Sequence, residues 1–201
     1  MKKTNVHELL NEFDNKSGKL AALQTMAYAL VAAISVLFLF LAGSFLSSHD
    51  MNLRTVPPAL SVSSVFIILS TVLVIKLKRL KKDDRYKNFR TVISIVAALG
   101  ILFFICQYAG WQQLLHHFPS AHRNLLVVLI VAHALHFLIA FLLVIHILYK
   151  SYRFENGADF YIHFLDVKQE LLFKITCMYW DFLSYLWVIL FIIIQLKFML
   201  Q

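Results

Sequence analysis

Charged side chains are scarce in this sequence: they make up 15% of residues, against 60% that are apolar. A soluble domain of ordinary composition carries about a quarter charged residues and spreads them over its surface. Glycine and proline are also rare, at five and three. That leaves no glycine-rich phosphate loop, and few of the mid-span breaks with which transporters build substrate sites. The two cysteines, Cys106 and Cys177, lie far apart inside apolar stretches and read as buried thiols used in packing. No Ser-His-Asp grouping and no pair of carboxylates falls within an apolar stretch, so the pattern offers no catalytic set. The strand-like alternation of a membrane β-barrel is missing as well.

What the sequence does have is long apolar runs almost free of charge, the exceptions being Asp181 and the terminal Lys197 of the last run. Five of them, at 26–46, 56–75, 91–115, 125–149 and 175–197, reach the length of about 20 apolar residues that a helix needs to cross a bilayer. The first run is too long for the apolar part of a signal peptide, and about 25 polar residues precede it, so it is expected to be a mature helix. The chain therefore predicts an all-α integral membrane bundle of five transmembrane helices, a single membrane domain over 1–201. No internal repeat is evident.

The basic residues orient the bundle. Of the 19 lysines and arginines, all but Arg54, Arg123 and Lys197 fall before the first run, between the second and third, or between the fourth and fifth. Basic residues are retained on the cytoplasmic side, which predicts a cytoplasmic N-terminus and a periplasmic C-terminus. The net charge of +8 then follows from topology and from attraction to anionic lipid headgroups, and implies no nucleic acid. The basic stretch from Lys76 to Arg90 is expected to be a solvated hairpin. Val6, Leu9, Leu10 and Phe13 recur at helical spacing, predicting a short amphipathic helix on the membrane surface or on a partner. Glu155-Asn156-Gly157 is a turn signal, after which Phe160, Phe164, Leu171, Leu172 and Ile175 form a second amphipathic stretch. Pro57-Pro58 is expected to open the second helix, where missing amide protons cost little. The small-residue pairs Ala29/Ala33 and Ser94/Ala98 are candidate points of close helix approach.

Polar groups inside a bilayer are costly, so each one asks for a partner. The fourth run carries His133, His136 and His146. Apart from the boundary pair His116 and His117, every in-span histidine lies on that one helix, so a bis-histidine haem or a metal lacks its second ligand, and a hydrogen-bonded pair between helices is expected instead. Asp181 is the one acid in a predicted span; it is expected to be protonated, or partnered by a histidine, a tyrosine or a neighbouring subunit. Gln107 reads as a polar anchor. Tyr108 with Trp111, and Tyr179 with Trp180, fit the aromatic belts at span ends.

These landmarks resemble the haem-copper oxidase subunit III family, in the short five-helix bacterial form of cytochrome c oxidase subunit 3. The stretch from Leu102 to Leu114, with Phe103, Gln107 and Trp111, is similar to the family's Phe, Gln, aromatic, Leu pattern. His133-Ala134-Leu135-His136 is similar to its His-Gly-Leu-His. Tyr179-Trp180-Asp181-Phe182 followed by Trp187 is similar to its Tyr-Trp-His-Phe-x-Asp-x-x-Trp. The likeness covers roughly residues 20 to 200. Asp181 stands where the family has His, Ser184 where it has Asp, and the first helix lacks the family's glutamate.

The resemblance implies a non-catalytic subunit packed against the catalytic subunit I and other respiratory-complex subunits, supporting stability and oxygen or proton access in aerobic electron transport. Haem and copper would sit in the partner subunits, structural phospholipids would be bound, and the location would be the bacterial inner membrane. Gln107, Trp111, His133, His136, Tyr179, Trp180, Asp181 and Trp187 are the expected packing residues. The alternatives are a small proton-linked transporter or channel, a haem-binding membrane cytochrome, and a relative associated with nitric oxide reductase.

Overall fold

The computed structural model describes residues 6–47, 56–83, 85–117, 120–154 and 166–199. Five helices follow in order: α1 (Val6–Ser47), α2 (Pro58–Lys82), α3 (Tyr86–His117), α4 (Ser120–Arg153) and α5 (Val167–Met199). Each is long and apolar enough to cross a membrane, and the chain is a multi-pass helical membrane protein.

The helices outrun the hydrophobic runs that announce them. α2 does not stop at residue 75 but continues to Lys82, and α3 begins at Tyr86, so most of the expected basic hairpin is helix with a short turn at Asp83. The physical reason is the helix dipole: Arg79, Lys81 and Lys82 occupy the last turn of α2, where cations favour the exposed carbonyls. Pro57 caps α2 and Pro58 takes its first position, as expected. The amphipathic segment at the N-terminus is no separate surface helix either: α1 is one continuous helix of 42 residues. At about 1.5 Å per residue it is roughly twice as long as a hydrocarbon core is thick. Leu171, Leu172 and Ile175 belong to α5; Phe160, Phe164 and the turn at Glu155 to Gly157 lie outside the described residues.

Each helix buries one stripe and shows apolar residues elsewhere. Ile34 and Phe38 of α1, Ile67 of α2, Phe103 of α3, Ala140 of α4 and Trp180 of α5 are all buried. Phe40 and Val36 of α1, by contrast, are about 70% exposed. Apolar surface of this kind on every helix is what lipid solvation allows. α1 is the least embedded helix, packing on α4 and α5 through Ile34, Phe38, Leu41 and Ala42.

α2 and α3 form the most extensive helix pair, and glycine makes their contact. A Cβ on Gly110 would lie 2.4 Å from Leu60 Cδ2 and 2.7 Å from its Cγ. At Gly100 a Cβ would meet Phe141 and Trp180 at 3.1 Å. The pairs expected to mark close approach do not do so: Ala29, Ala33 and Ala98 are exposed, and Ser94 bonds the Arg90 carbonyl at 2.9 Å and sits 3.2 Å from the Tyr152 hydroxyl. Those alanines lie on outward faces, a distinction that spacing alone does not make. Replacing Gly110 by Ala is expected to cost about 1–3 kcal/mol through overpacking against fully buried Leu60. Adding Leu60→Ala should return part of that loss, measured by reversible unfolding in detergent micelles.

At the end of the bundle that carries the basic connections, Arg90 joins α3 to the end of α4. Its guanidinium donates to the Phe154 carbonyl, just past the last turn of α4, and lies 5.5 Å from the ring centres of both Tyr86 and Tyr152.

Candidate functional site

The polar interior is organised by three serines on one face of α2. Ser63 and Ser64 donate to the Leu60 carbonyl (2.7 and 2.9 Å), and Ser70 donates to that of Ile67 (2.8 Å). With its own proton spent on the backbone, each hydroxyl oxygen is free to accept. Gln107 Nε2 donates to Ser63 at 3.0 Å, Trp187 Nε1 to Ser64 at 3.0 Å, and Trp180 Nε1 to Ser70 at 3.1 Å. A buried indole N–H without water must find an acceptor in protein; here α2 supplies one for Trp180 and one for Trp187. Residues 63 and 70 are seven apart, two helical turns, so the acceptors form a column facing α3 and α5.

Aromatic packing closes the same region. Phe103 lies on Phe137 (4.8 Å between ring centres) and edge-on to Trp187 (5.8 Å), and His133 lies 5.4 Å from Trp187. Trp111, His133 and Trp187 line a chamber of about 20 Å³ between α2, α3, α4 and α5. Gln107, Trp111, His133, Trp180 and Trp187, singled out by sequence on three different helices, therefore meet in one interior.

The other three candidates go elsewhere. His136 is half-buried against Phe38 of α1 (5.9 Å). Its Nδ1 is 2.6 Å from the Ala132 carbonyl, which can only accept, so Nδ1 carries the proton. His136 thus turns back onto its own helix and makes no pair with His133. Tyr179 is buried and stacks on Phe182 at 6.2 Å. Asp181 pairs through Oδ2 with Lys78 of α2 at 2.6 Å, and not with a histidine or a tyrosine of this chain. Lys78 lies only three residues past the expected end of the second span, and its four-carbon stem reaches back along α2 to the acid. Among the described residues no group of three His, Cys, Asp or Glu side chains is placed to hold a metal.

Sequence reasoning passed over Ser63, Ser64, Ser70 and Lys78. For the serines, the seven-residue spacing of Ser63 and Ser70 is the available signal. Lys78 was counted as loop charge, and no in-span pattern pointed to it.

A second, larger feature opens at the end of the bundle that carries the basic connections. α1 stands away from α4 and α5 there, leaving a cleft of about 750 Å³. Lys19, Lys150, Lys168 and His146 line it together with apolar residues such as Leu23 and Leu172, and Lys150 donates to Gln169 at 2.9 Å. Three cations from three helices above an apolar wall form a site suited to an anionic head with a greasy tail.

Compared with protein-family models, curated proteins and solved structures, the chain has no match.

Proposed function

We propose that this chain is a non-catalytic third subunit of a haem-copper oxidase in a bacterial plasma membrane, with its N-terminus in the cytoplasm. The carrying observation is the convergence of Gln107, His133, Trp180 and Trp187. These residues define three ordered motifs, and they share one packed interior, tied to α2 through serine hydroxyls. Such residues act as the internal fasteners of a rigid bundle, and the apolar exterior is left to lipid and to neighbouring subunits. The redox groups belong to the partner, subunit I, against which the bundle packs. The asymmetry of lysine and arginine supports the orientation.

The cationic cleft between α1, α4 and α5 is the proposed seat of a structural phospholipid. A lysine near the membrane surface contributes about 1 kcal/mol to holding an anionic lipid. Replacing Lys19, Lys150 and Lys168 together by Gln is expected to weaken retention of anionic phospholipid by about two orders of magnitude. Lipid mass spectrometry of the protein purified in mild detergent reads the change, and unchanged lipid content would remove the cleft from the proposal.

The function itself is tested by purifying the tagged chain in mild detergent and recording haem spectra and copper content. The expected result is co-purification with a larger haem- and copper-containing subunit that reduces oxygen. Recovery of the chain alone, stable and monodisperse, in every mild detergent would overturn the proposal.

A further inference from the structure

Among the buried side-chain atoms with no hydrogen-bond partner in the described residues are both ring nitrogens of His133, in the wall of the chamber, and Oε1 of Gln107, one helical turn from the lining residue Trp111. His133 is 2% exposed and Gln107 is fully buried, so neither reaches lipid headgroups or bulk water. Buried polar atoms in native proteins are nearly always satisfied, by protein or by enclosed water. Side-chain rearrangement within the described residues offers little, because the Ser63 and Ser64 hydroxyls each already donate to a carbonyl and accept from Gln107 or Trp187.

The two residues lie at one level of the bundle. α3 and α4 are consecutive and antiparallel, and Phe103 packs on Phe137. Four residues further along α3 and four residues back along α4 bring Gln107 opposite His133. The chamber of about 20 Å³ has His133 in its wall, with Leu60, Trp111, Leu129, Trp187 and Leu190 around it. A space of roughly 10–15 Å³ on this measure holds one water molecule, so this one takes one and not a cluster.

We infer that the chamber is a binding site for a single water molecule, held by the His133 ring and the unpaired oxygen of Gln107. A neutral imidazole has one N–H donor and one bare nitrogen. Water is the small solute that can accept from the first and still donate to an amide oxygen. An apolar gas of the same size would leave all three atoms unsatisfied. The water links α4 to α3, and through Gln107 and Ser63 to α2, and gives the buried His133 ring a polar partner. This inference is independent of the oxidase proposal.

Solid-state NMR of the full chain in bilayers, with nitrogen-labelled histidine, tests it by measuring magnetisation transfer from water protons to the ring nitrogens. The sequence holds nine histidines, so His133 is assigned by the signal lost in His133→Phe. Should that variant not fold, sequential labelling of the His133-Ala134 pair, the one His-Ala step in the sequence, gives the same assignment. The expected result is a neutral ring with persistent water transfer to one nitrogen, falling severalfold in Gln107→Leu. Absence of water transfer, or a direct hydrogen-bond coupling between the ring and the Gln107 side chain, would overturn the inference. Transfer unaltered in Gln107→Leu would overturn the role given to Gln107.

Discussion

Replacing Trp180 by alanine is expected to cost about 3–5 kcal/mol, the range for truncating a large buried aromatic. Trp180 is 1% exposed, its ring lies 5.7 Å from that of Phe137, and its far edge fills the space that Gly100 leaves open. Gly100 has no side chain to move into the void, so any refilling falls to the Phe137 and Phe141 rings. Volume accounts for most of the loss. Trp180→Phe, which keeps a ring but drops the N–H, is expected to cost about 1 kcal/mol, typical of one hydrogen bond between membrane helices. Ser70→Ala is the more revealing partner change: it leaves the indole N–H buried without an acceptor and should cost about 1–3 kcal/mol. Equilibrium unfolding in bicelles measures all three. Equal losses for Trp180→Phe and Trp180→Ala would mean that the hydrogen bond, and not the packing, secures this level of the bundle.

Breaking the Lys78–Asp181 pair is expected to have the next largest effect, and an asymmetric one. The pair is held at 2.6 Å, with side-chain exposures of 42% and 20%. Around a membrane helix, exposed surface faces lipid as well as water, so solvent screening gives little relief. In Lys78→Leu the short Asp181 side chain cannot reach the headgroups, and an unpaired acid in a span costs about 3 kcal/mol. In Asp181→Leu the lysine is left, and its long stem carries the ammonium towards the interface, for a loss of about 1 kcal/mol. The double replacement Lys78→Leu with Asp181→Leu should recover most of the loss seen in Lys78→Leu alone. A double variant whose cost equals the sum of the two single costs would show that the residues do not interact.

The comparison of sequence with structure separates two kinds of information. Hydropathy located all five helices because lipid demands long uncharged runs, and each predicted span lies substantially on its own helix. It reports where hydrocarbon begins, though, and not where hydrogen bonding ends. That is why α2 runs on through Lys76 and Lys78 to Lys82, and why α1 begins at Val6.

Partner choice was less legible. Asp181 was matched with in-span polar groups because cost was reckoned from depth, whereas a flexible lysine near a span end reaches back to it. Likewise, Gln107, Trp180 and Trp187 were picked as polar or aromatic landmarks, but their shared acceptors on α2 are small residues with no signal except a seven-residue repeat. The stripe of Ala29 and Ala33 had the right spacing for a close contact yet faces outward, since spacing identifies a helix face without saying what lies against it.

The lipid cost of the Lys78–Asp181 pair, the cationic cleft and the proposed docking to a larger complex all depend on five membrane crossings with the basic connections on one side. Site-directed cysteine labelling measures this directly, after Cys106 and Cys177 are replaced by alanine. Single cysteines are introduced as Asn52→Cys between α1 and α2, Lys82→Cys at the end of α2, and Arg153→Cys at the end of α4. With a membrane-impermeant maleimide on intact cells, Asn52→Cys should label, while Lys82→Cys and Arg153→Cys should label only after the membrane is opened. Labelling of Lys82→Cys and Arg153→Cys from opposite sides, or of both in intact cells, would contradict it.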